Sequence, residues 1–437
     1  MSSDFISYPG EIEIVTAKIY TANGETIEIA GIIADLTLYE DLFSNTMSGY
    51  ILIEDSMDLV NSLPLIGQEL FEIHLKTPTL STEIKKTFYI YKMQGRTSKK
   101  RVQNYMLNFC SKELIISSNS KVAKAFGTVK ADKSLNLISD VVKEIFSDKR
   151  YLGSDLNNLQ VEKTKNVYPF IATFWSPLET INWLTAKSLN ESDVPNYLFY
   201  ETNQSFEYKS IDSLIKLPFK REYIHSDVDA NTVNGSHGDM ENKYKIVQSI
   251  DTPVTFDHLR NTNAGMFSSK LYTFDMTTRV ANATSFDYLK DYDNSAHLNG
   301  PGLKSSPLKN ENLIKRKLSS LYFIDKNNYL QGSFSPQPYK WTFLQRNSLL
   351  EQMTAFRMCI KVIGRTDIKV GDTVKFTMNK FKEIAAEDMP EIESGYYTGI
   401  YLITAIRHQI INGTHSMYME IVSDSFADKT IVDTKKL

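Results

Sequence analysis

At 437 residues the chain is too long for one ordinary core, and a prior of about 100–200 residues per domain predicts two to four domains. Its 42% hydrophobic and 23% charged residues are globular in proportion. The 49 basic and 52 acidic residues leave a net charge of −3, which argues against a nucleic-acid binder acting by bulk phosphate neutralisation.

The N-terminus, Met1-Ser2-Ser3-Asp4-Phe5, has neither a basic start nor an apolar core, and no stretch approaches a membrane-spanning length. Neither signal-peptide export nor membrane insertion is expected. Glu11–Tyr20 is a strand candidate; Asn23-Gly24 marks a turn, and Thr26–Ile33 would pair back as a hairpin. Ala34–Tyr39, Met47–Glu54 and Leu70–Leu75 continue the pattern. Phe88–Met93 and Val102–Phe109 then form a hairpin across a polar loop, Gly95–Arg101. The basic run Lys99-Lys100-Arg101 falls in that loop and reads as a solvated tip. Aromatics in Phe88–Arg101 alternate as strand residues do, so sheet packing explains them before base stacking does. Short strands without intervening helices predict a small antiparallel barrel or sandwich over 1–115.

Texture changes near Lys112. Leu135, Ile138, Val141, Val142, Ile145 and Phe146 share one helical face, capped by Ser134 or Asp132. Ser176-Pro177-Leu178-Glu179 is a capping box opening onto Ile181, Leu184 and Leu189. Tyr197–Tyr200 and Phe206–Tyr208 read as a strand pair, making 116–242 a mixed α/β domain with a polar loop over Ser226–Lys243. Val254–Asn263 suggests a short helix stopped by Gly265, and Lys270–Thr277 a strand. Residues 281–340 have little periodicity and predict a long excursion with limited structure of its own. A helix near Asn347–Thr354 precedes strands at Ala355–Ile363, Thr373–Met378, Tyr401–Arg407 and Met417–Val422.

Ile66-Gly67-Gln68-Glu69-Leu70-Phe71-Glu72-Ile73 echoes Val370-Gly371-Asp372-Thr373-Val374-Lys375-Phe376: a Gly turn, a polar pair, then an alternating strand. Each leads to a hairpin, ending at Asn104–Lys112 in one case and His415–Asp424 in the other. The expected fold class is β-rich α+β, with two small antiparallel barrels flanking the mixed region. The second barrel would comprise 243–280 and 355–430, and 281–354 would be an insertion contributing to the mixed domain.

Catalytic signatures are missing. The sequence has no phosphate-binding loop, dinucleotide fingerprint, nucleophile elbow or H-E-x-x-H. His74, His225, His237, His258, His297, His408 and His415 are scattered; only His408 and His415 could meet, across Asn412-Gly413, where two strand-end histidines near a turn are the plainer reading. Asp287, Asp291 and Asp293 lie close together but lack the Gly and Glu of an EF-hand loop, so a solvated loop is expected. Cys110 and Cys359 have no metal-ligand spacing and read as buried free thiols. No catalytic, cofactor-binding or metal-binding residue is expected. The 24 Tyr and 23 Phe against 3 Trp suit antiparallel strands first, and surfaces buried by assembly second.

Leu36–Asp55 followed by Leu63–Leu70 resembles the first barrel of the baseplate central hub protein of T-even-type contractile-tailed phages. Ser176–Leu184, Asn196–Glu201 and Phe206–Leu214 resemble that family's middle domain; Asp257–Tyr272, Ile363–Asp372, Gly395–Gln409 and Met417–Asp424 resemble its second barrel. The resemblance implies a non-enzymatic structural virion protein in the tail baseplate, assembled in the host cytoplasm. It implies a homotrimer whose two barrels per chain form a pseudo-sixfold ring joining a threefold spike to a sixfold tail tube. Partners would be a spike or tail-lysozyme protein, the tail tube and other baseplate proteins, with DNA only in transit. A bore that releases DNA should be neutral or acidic. The nearest other reading is a tail-tube adaptor or injection-machine spike component with the same barrels; the distant one is a carbohydrate-active enzyme, for which the sequence selects no carboxylate pair.

Overall fold

The computed structural model describes residues 8–21, 24–62, 65–99, 101–126, 136–225, 239–254, 257–275, 279–299, 320–325, 340–378 and 397–425. The first half is strand apart from two short helical turns, Ala30–Ile32 and Leu59–Ser62: β1 (Glu13–Tyr20), β2 (Thr26–Glu28), β3 (Ile33–Asp41), β4 (Ser48–Asp55), β5 (Leu70–Lys76), β6 (Glu83–Lys99) and β7 (Val102–Ser111). Strict alternation dictates this. In Leu70-Phe71-Glu72-Ile73-His74-Leu75-Lys76 every second residue is buried, so Phe71, Ile73 and Leu75 meet Ile19, Phe88 and Phe109 in one core. Gly95–Arg101 is not the expected loop. β6 continues to Lys99, which pairs with Val102 of β7, so 91–99 with 102–108 form a two-stranded ribbon whose β6 side chains are mostly exposed. Polar residues on both faces mark a solvated ribbon as readily as a loop. Of the expected turn, Ala22 and Asn23 lie outside the described residues; β2 is short because a single helical turn, Ala30–Ile32, interrupts the return strand.

The middle region packs three helices, Lys112–Asn119, Ile138–Ser147 and Pro177–Thr185, against small sheets. Its strands are β8 (Val122–Phe126), β9 (Leu159–Val161), β10 (Phe170–Trp175), β11 (Tyr197–Glu201) and β12 (Phe206–Ser210). Val141, Val142, Ile145 and Phe146 lie on the buried stripe of the second helix, facing Phe199 and Phe206. That helix starts after Leu137 without a side-chain cap, and Asp132 and Ser134 lie outside the described residues. The third helix has the full capping box: Ser176 Oγ accepts from Glu179 N, and the Glu179 carboxylate accepts from Ser176 N. Such a cap contributes about 1 kcal/mol.

The second half contains β13 (Arg221–His225), β14 (Val247–Val254), β15 (Ser268–Asp275), β16 (Val280–Asp287), β17 (Ser320–Asp325), β18 (Phe356–Ile363), β19 (Thr373–Met378), β20 (Gly399–Ile411) and β21 (Thr414–Ser423). Val254 ends β14 rather than opening a helix; the helix is His258–Asn263, capped by Asp257 and closed by Gly265 at φ +84°. Residues 281–340 hold more structure than their composition suggests. β16, β15 and β17 form a three-stranded sheet, and Asp287–Ser295 is a run of helical turns rather than an open loop, with Tyr288 and Tyr292 buried. Asp239–Lys243, expected as loop, is a short helix, and 226–238 lie outside the described residues.

Hydrogen bonds join both halves into a single 13-stranded sheet, and the chain is β-rich α+β. No closed barrel is formed by the pairings among the described residues. One half runs β5-β6-β7-β4-β3; the other runs β19-β20-β21-β18-β14. Taken in chain order these are the same topology, and the registers agree apart from one extra irregularity in each of β6 (between Gln94 and Thr97) and β14 (between Asp251 and Val254). Leu70 pairs with Tyr89, and Phe109 with Gly49; Thr373 pairs with Leu402, and Ile421 with Met358. Tyr91 is bulged out of β6 where Thr404 is bulged out of β20. Ala34 is bulged out of β3 where Gln248 is bulged out of β14. Two bulges at matching positions are a far stronger sign of a repeat than strand order alone, because bulges are specific local features. Gly67 (φ +87°) and Gly371 (φ +85°) sit in the turns that open the corresponding strands. The acidic residue after each turn also recurs: Glu69 accepts from Ile66 N, and Asp372 from Lys369 N. By that criterion the glycines are offset by one position.

Candidate assembly site at the seam between the halves

The halves meet where β20 leaves β19. Its first residues pair with β19, and Ala405–Ile411 then pair in antiparallel register with Asp41–Asp35 of β3. Side chains cross with the backbone: Ile410 of β20 packs in the first-half core, and Leu42, just past β3, packs in the second.

Under this seam lies a polar cluster with no solvent access. Glu40, His408 and His415 are 1% exposed or less. Glu40 Oε1 is 3.1 Å from His408 Nε2, and His408 Nδ1 is 3.0 Å from His415 Nε2. A carboxylate accepts only, so His408 donates from Nε2 and accepts at Nδ1 from His415 Nε2–H. Glu40 Oε2 also accepts from Val370 N in the second half. Burial, then the neighbouring His408, pushes His415 well below the ordinary imidazole value. Gly364 lies flat on the His415 ring, where a Cβ would come within 2.1 Å. The expected pair of strand-end histidines thus does meet across the hairpin, but as an interior bridge between halves. Glu40 was open to discovery from sequence, since it shares the inward parity of Leu36 and Leu38 and is the only charge among them.

The opposite face of the seam is exposed. Tyr39, Arg407, Tyr418 and Lys361 stand directly across from one another on β3, β20, β21 and β18. Arg407 lies 5.4 Å and Lys361 5.3 Å from the Tyr418 ring. Arg407 also donates to Tyr50 Oη at 3.3 Å. Tyr and Arg laid across a flat sheet face are the residues favoured at protein interfaces. A shallow cavity of about 380 Å³ opens beside them, lined by Asp41, Cys359 and Glu420 among others. Cys359 is therefore only partly buried, whereas Cys110 is fully buried as expected; both are free. Among the described residues no group of His, Cys, Asp and Glu is arranged to hold a metal ion, and Asp287, Asp291 and Asp293 do not converge on one. Among those residues no helix is long and apolar enough to cross a membrane.

The β11–β12 hairpin of the middle region clamps both halves. Glu201 Oε2 accepts from Met47 N at 2.9 Å and from Ser111 Oγ, while Oε1 accepts from Lys86 Nζ at 2.9 Å. Asn203 Nδ2 donates to the Thr366 and Ile368 carbonyls. Glu207 pairs with Lys209 and, across the domain junction, with Lys369; burial acts to raise its carboxyl, and the two ammonium groups hold it below the usual range. Arg346 is anchored to the same region through the Pro195 and Tyr197 carbonyls, and burial lowers its guanidinium to about 10. Nothing in the sequence marks these anchors, because β11 is buried on both faces and shows no parity.

No family model matches the sequence, and no curated protein matches it. Solved structures do. A tail protein from Neisseria meningitidis MC58 superposes with a TM-score of 0.54 at 9% identity, covering 94% of this chain and 96% of its own. The 43 kDa tail protein of prophage MuSo2 from Shewanella oneidensis gives 0.53 at 8% identity, covering 94% and 98%. At such identities the likeness is one of fold, over nearly the full length of both chains. The chain has the fold of these phage-type tail proteins, and the resemblance drawn from Leu36–Asp55 and the later segments stands at that level.

Proposed function

We propose that this chain is a structural tail protein, the central hub of a contractile-tail baseplate. Three copies would form a ring of six repeats, joining a threefold spike to a sixfold tail tube and letting the genome pass. The observation that carries this reading is the register-matched repeat, β5-β6-β7-β4-β3 against β19-β20-β21-β18-β14, in one chain. A tube adaptor needs one such unit; a threefold-to-sixfold adaptor needs two. Each repeat would close on itself as a barrel, with β1 covering β5 in one and β13 covering β19 in the other. Among the described residues an isolated parallel bridge, Ile224–Ile246, joins β13 to the residue before β14, in keeping with such a closure. In domain terms we assign 1–115 and 243–280 with 355–430 to the two barrels, 116–242 to the mixed domain, and 281–354 to an insertion on it. The middle domain, locked by Glu201 and Glu207, would carry the contacts to the spike and neighbouring baseplate proteins. The chain's role is positional, without catalysis, cofactor or metal, and its bore is neutral or acidic.

Electron microscopy of the purified protein, alone and with a spike protein, tests this. End-on class averages should show a ring of six lobes around an open bore. Averages that are threefold without the six-lobed outline, or single small particles throughout, would sink the hub reading.

A further inference from the structure

Each repeat has one strand edge that the other repeat uses differently. In the second repeat, β20 outgrows β19, and its freed edge, Ala405–Ile411, is taken by β3 of the first repeat. In the first repeat β6 outgrows β5 in the same way. By the register, Lys92 corresponds to Ala405, Gln94 to Arg407, Thr97 to Gln409 and Lys99 to Ile411. Yet among the described residues no strand pairs with that edge of Lys92–Lys99. The counterpart of β3 is β14, with Ser249 matching Asp35 and Asp251 matching Thr37. Beyond its first residues, β14 is the outer strand of the sheet among the described residues. One chain therefore exposes both halves of the joint it has already made internally.

Resting on the trimeric hub reading, we propose that β14 of one copy pairs antiparallel with the Lys92–Lys99 edge of β6 of the next, repeating the β3–β20 seam between chains. The occupant of each edge is a second copy of this chain. An open edge is a template for pairing with another strand, and an interface that copies an intrachain one by rotation is what ring closure requires. Charge agrees with this pairing. The β6 ribbon carries Lys92, Arg96 and Lys99, all exposed, and Arg101 at its tip; β14 offers exposed Asp251, with Asp257 just beyond. The inward side differs from the internal seam. No Glu–His–His cluster can form where the irregular step Gly95–Arg96 stands for His408 and Ser98 for Ile410, so this joint is held mainly by backbone bonds and ion pairs. Pro253 falls at the irregular step between Asp251 and Val254, where β14 is already out of register with β18.

The test is cysteine capture in the full-length protein. The seam register predicts Thr97 opposite Asp251 and Lys99 opposite Ser249. T97C/D251C and K99C/S249C should each give covalent trimers under mild oxidation, while the off-register pair K99C/V254C should stay uncrosslinked; all four native partners on β6 and β14 are exposed, so folding is checked simply by unchanged circular dichroism. Raising salt should weaken the assembly, and K99E, whose lysine stands diagonally across from Asp251 in the predicted register, should weaken it further, with D251R in the same chain restoring it. A native trimer that crosslinks no better in register than off it overturns this joint and leaves the hub reading standing. A protein that stays monomeric by native mass overturns both.

Discussion

Glu201→Ala removes from the middle domain the acceptor shared by three donors on the first half, across the domain junction. Glu201 and Lys86 are 4% and 14% exposed, so the ammonium left behind stays mostly desolvated, and the Met47 N–H and Ser111 hydroxyl lose their partner with it. Breaking a buried pair on one side costs about 3–5 kcal/mol. Because the loss is local to the junction, the first observable is the Met47 amide. Its hydrogen exchange should speed up by at least about a hundredfold, the factor that ~3 kcal/mol represents. Glu201→Gln keeps one acceptor and the volume, and should fall between wild type and alanine. Adding Lys86→Met to Glu201→Gln should recover part of the loss, because the charge left stranded is then gone. If Met47 exchanges at the wild-type rate in Glu201→Ala, the hairpin is not what holds the middle domain to the first half.

Three further outcomes follow from the seam and the insertion. Gly49→Ala places a methyl 2.2 Å from the Thr37 carbonyl oxygen and 2.5 Å from Phe109, so β3 and β4 must part; thermal melting should drop by the equivalent of about 1–3 kcal/mol. His415 is held neutral by burial. Its unfolded form takes up a proton as pH falls below about 6.5 and the folded form does not, so folded stability should decline from that pH downward, and His415→Gln should flatten the decline in urea titrations. His297 behaves in the opposite sense. Burial acts to lower it, but Asp424 at 2.6 Å and the Tyr292 carbonyl at 2.8 Å face both ring nitrogens and raise it. Its contribution is complete below about 6.5 and is lost as pH rises through the raised value, so proteolysis within 281–299 should increase on the alkaline side, and His297→Ala should remove that pH dependence.

Much of the strand content was legible because alternation is a local signal. Leu70–Leu75, Thr373–Met378 and Met417–Val422 needed only parity, and Ser176–Glu179 only its capping chemistry. The Gly67–Gly371 echo pointed to the repeat, although the residues that prove it, bulged Tyr91 and Thr404 and bulged Ala34 and Gln248, carry no mark in sequence. Bulges are defined by the partner strand, and the partner is distant in the chain. The Gly95–Arg101 segment reads as a loop, although β6 runs to Lys99, because a solvated ribbon and a polar loop have the same composition. The site itself was hardest to see. Glu40 and His408 are far apart in sequence and meet only because β3 and β20 pair, and Glu201 sits on a strand buried on both sides.

The hub function requires three copies to close a ring of six repeats. Native mass measurement of the purified protein, alone and mixed with a spike protein, addresses that directly. It should give a species of three times the 49.9 kDa chain mass, retained when the spike binds. A strict monomer under both conditions would contradict the account.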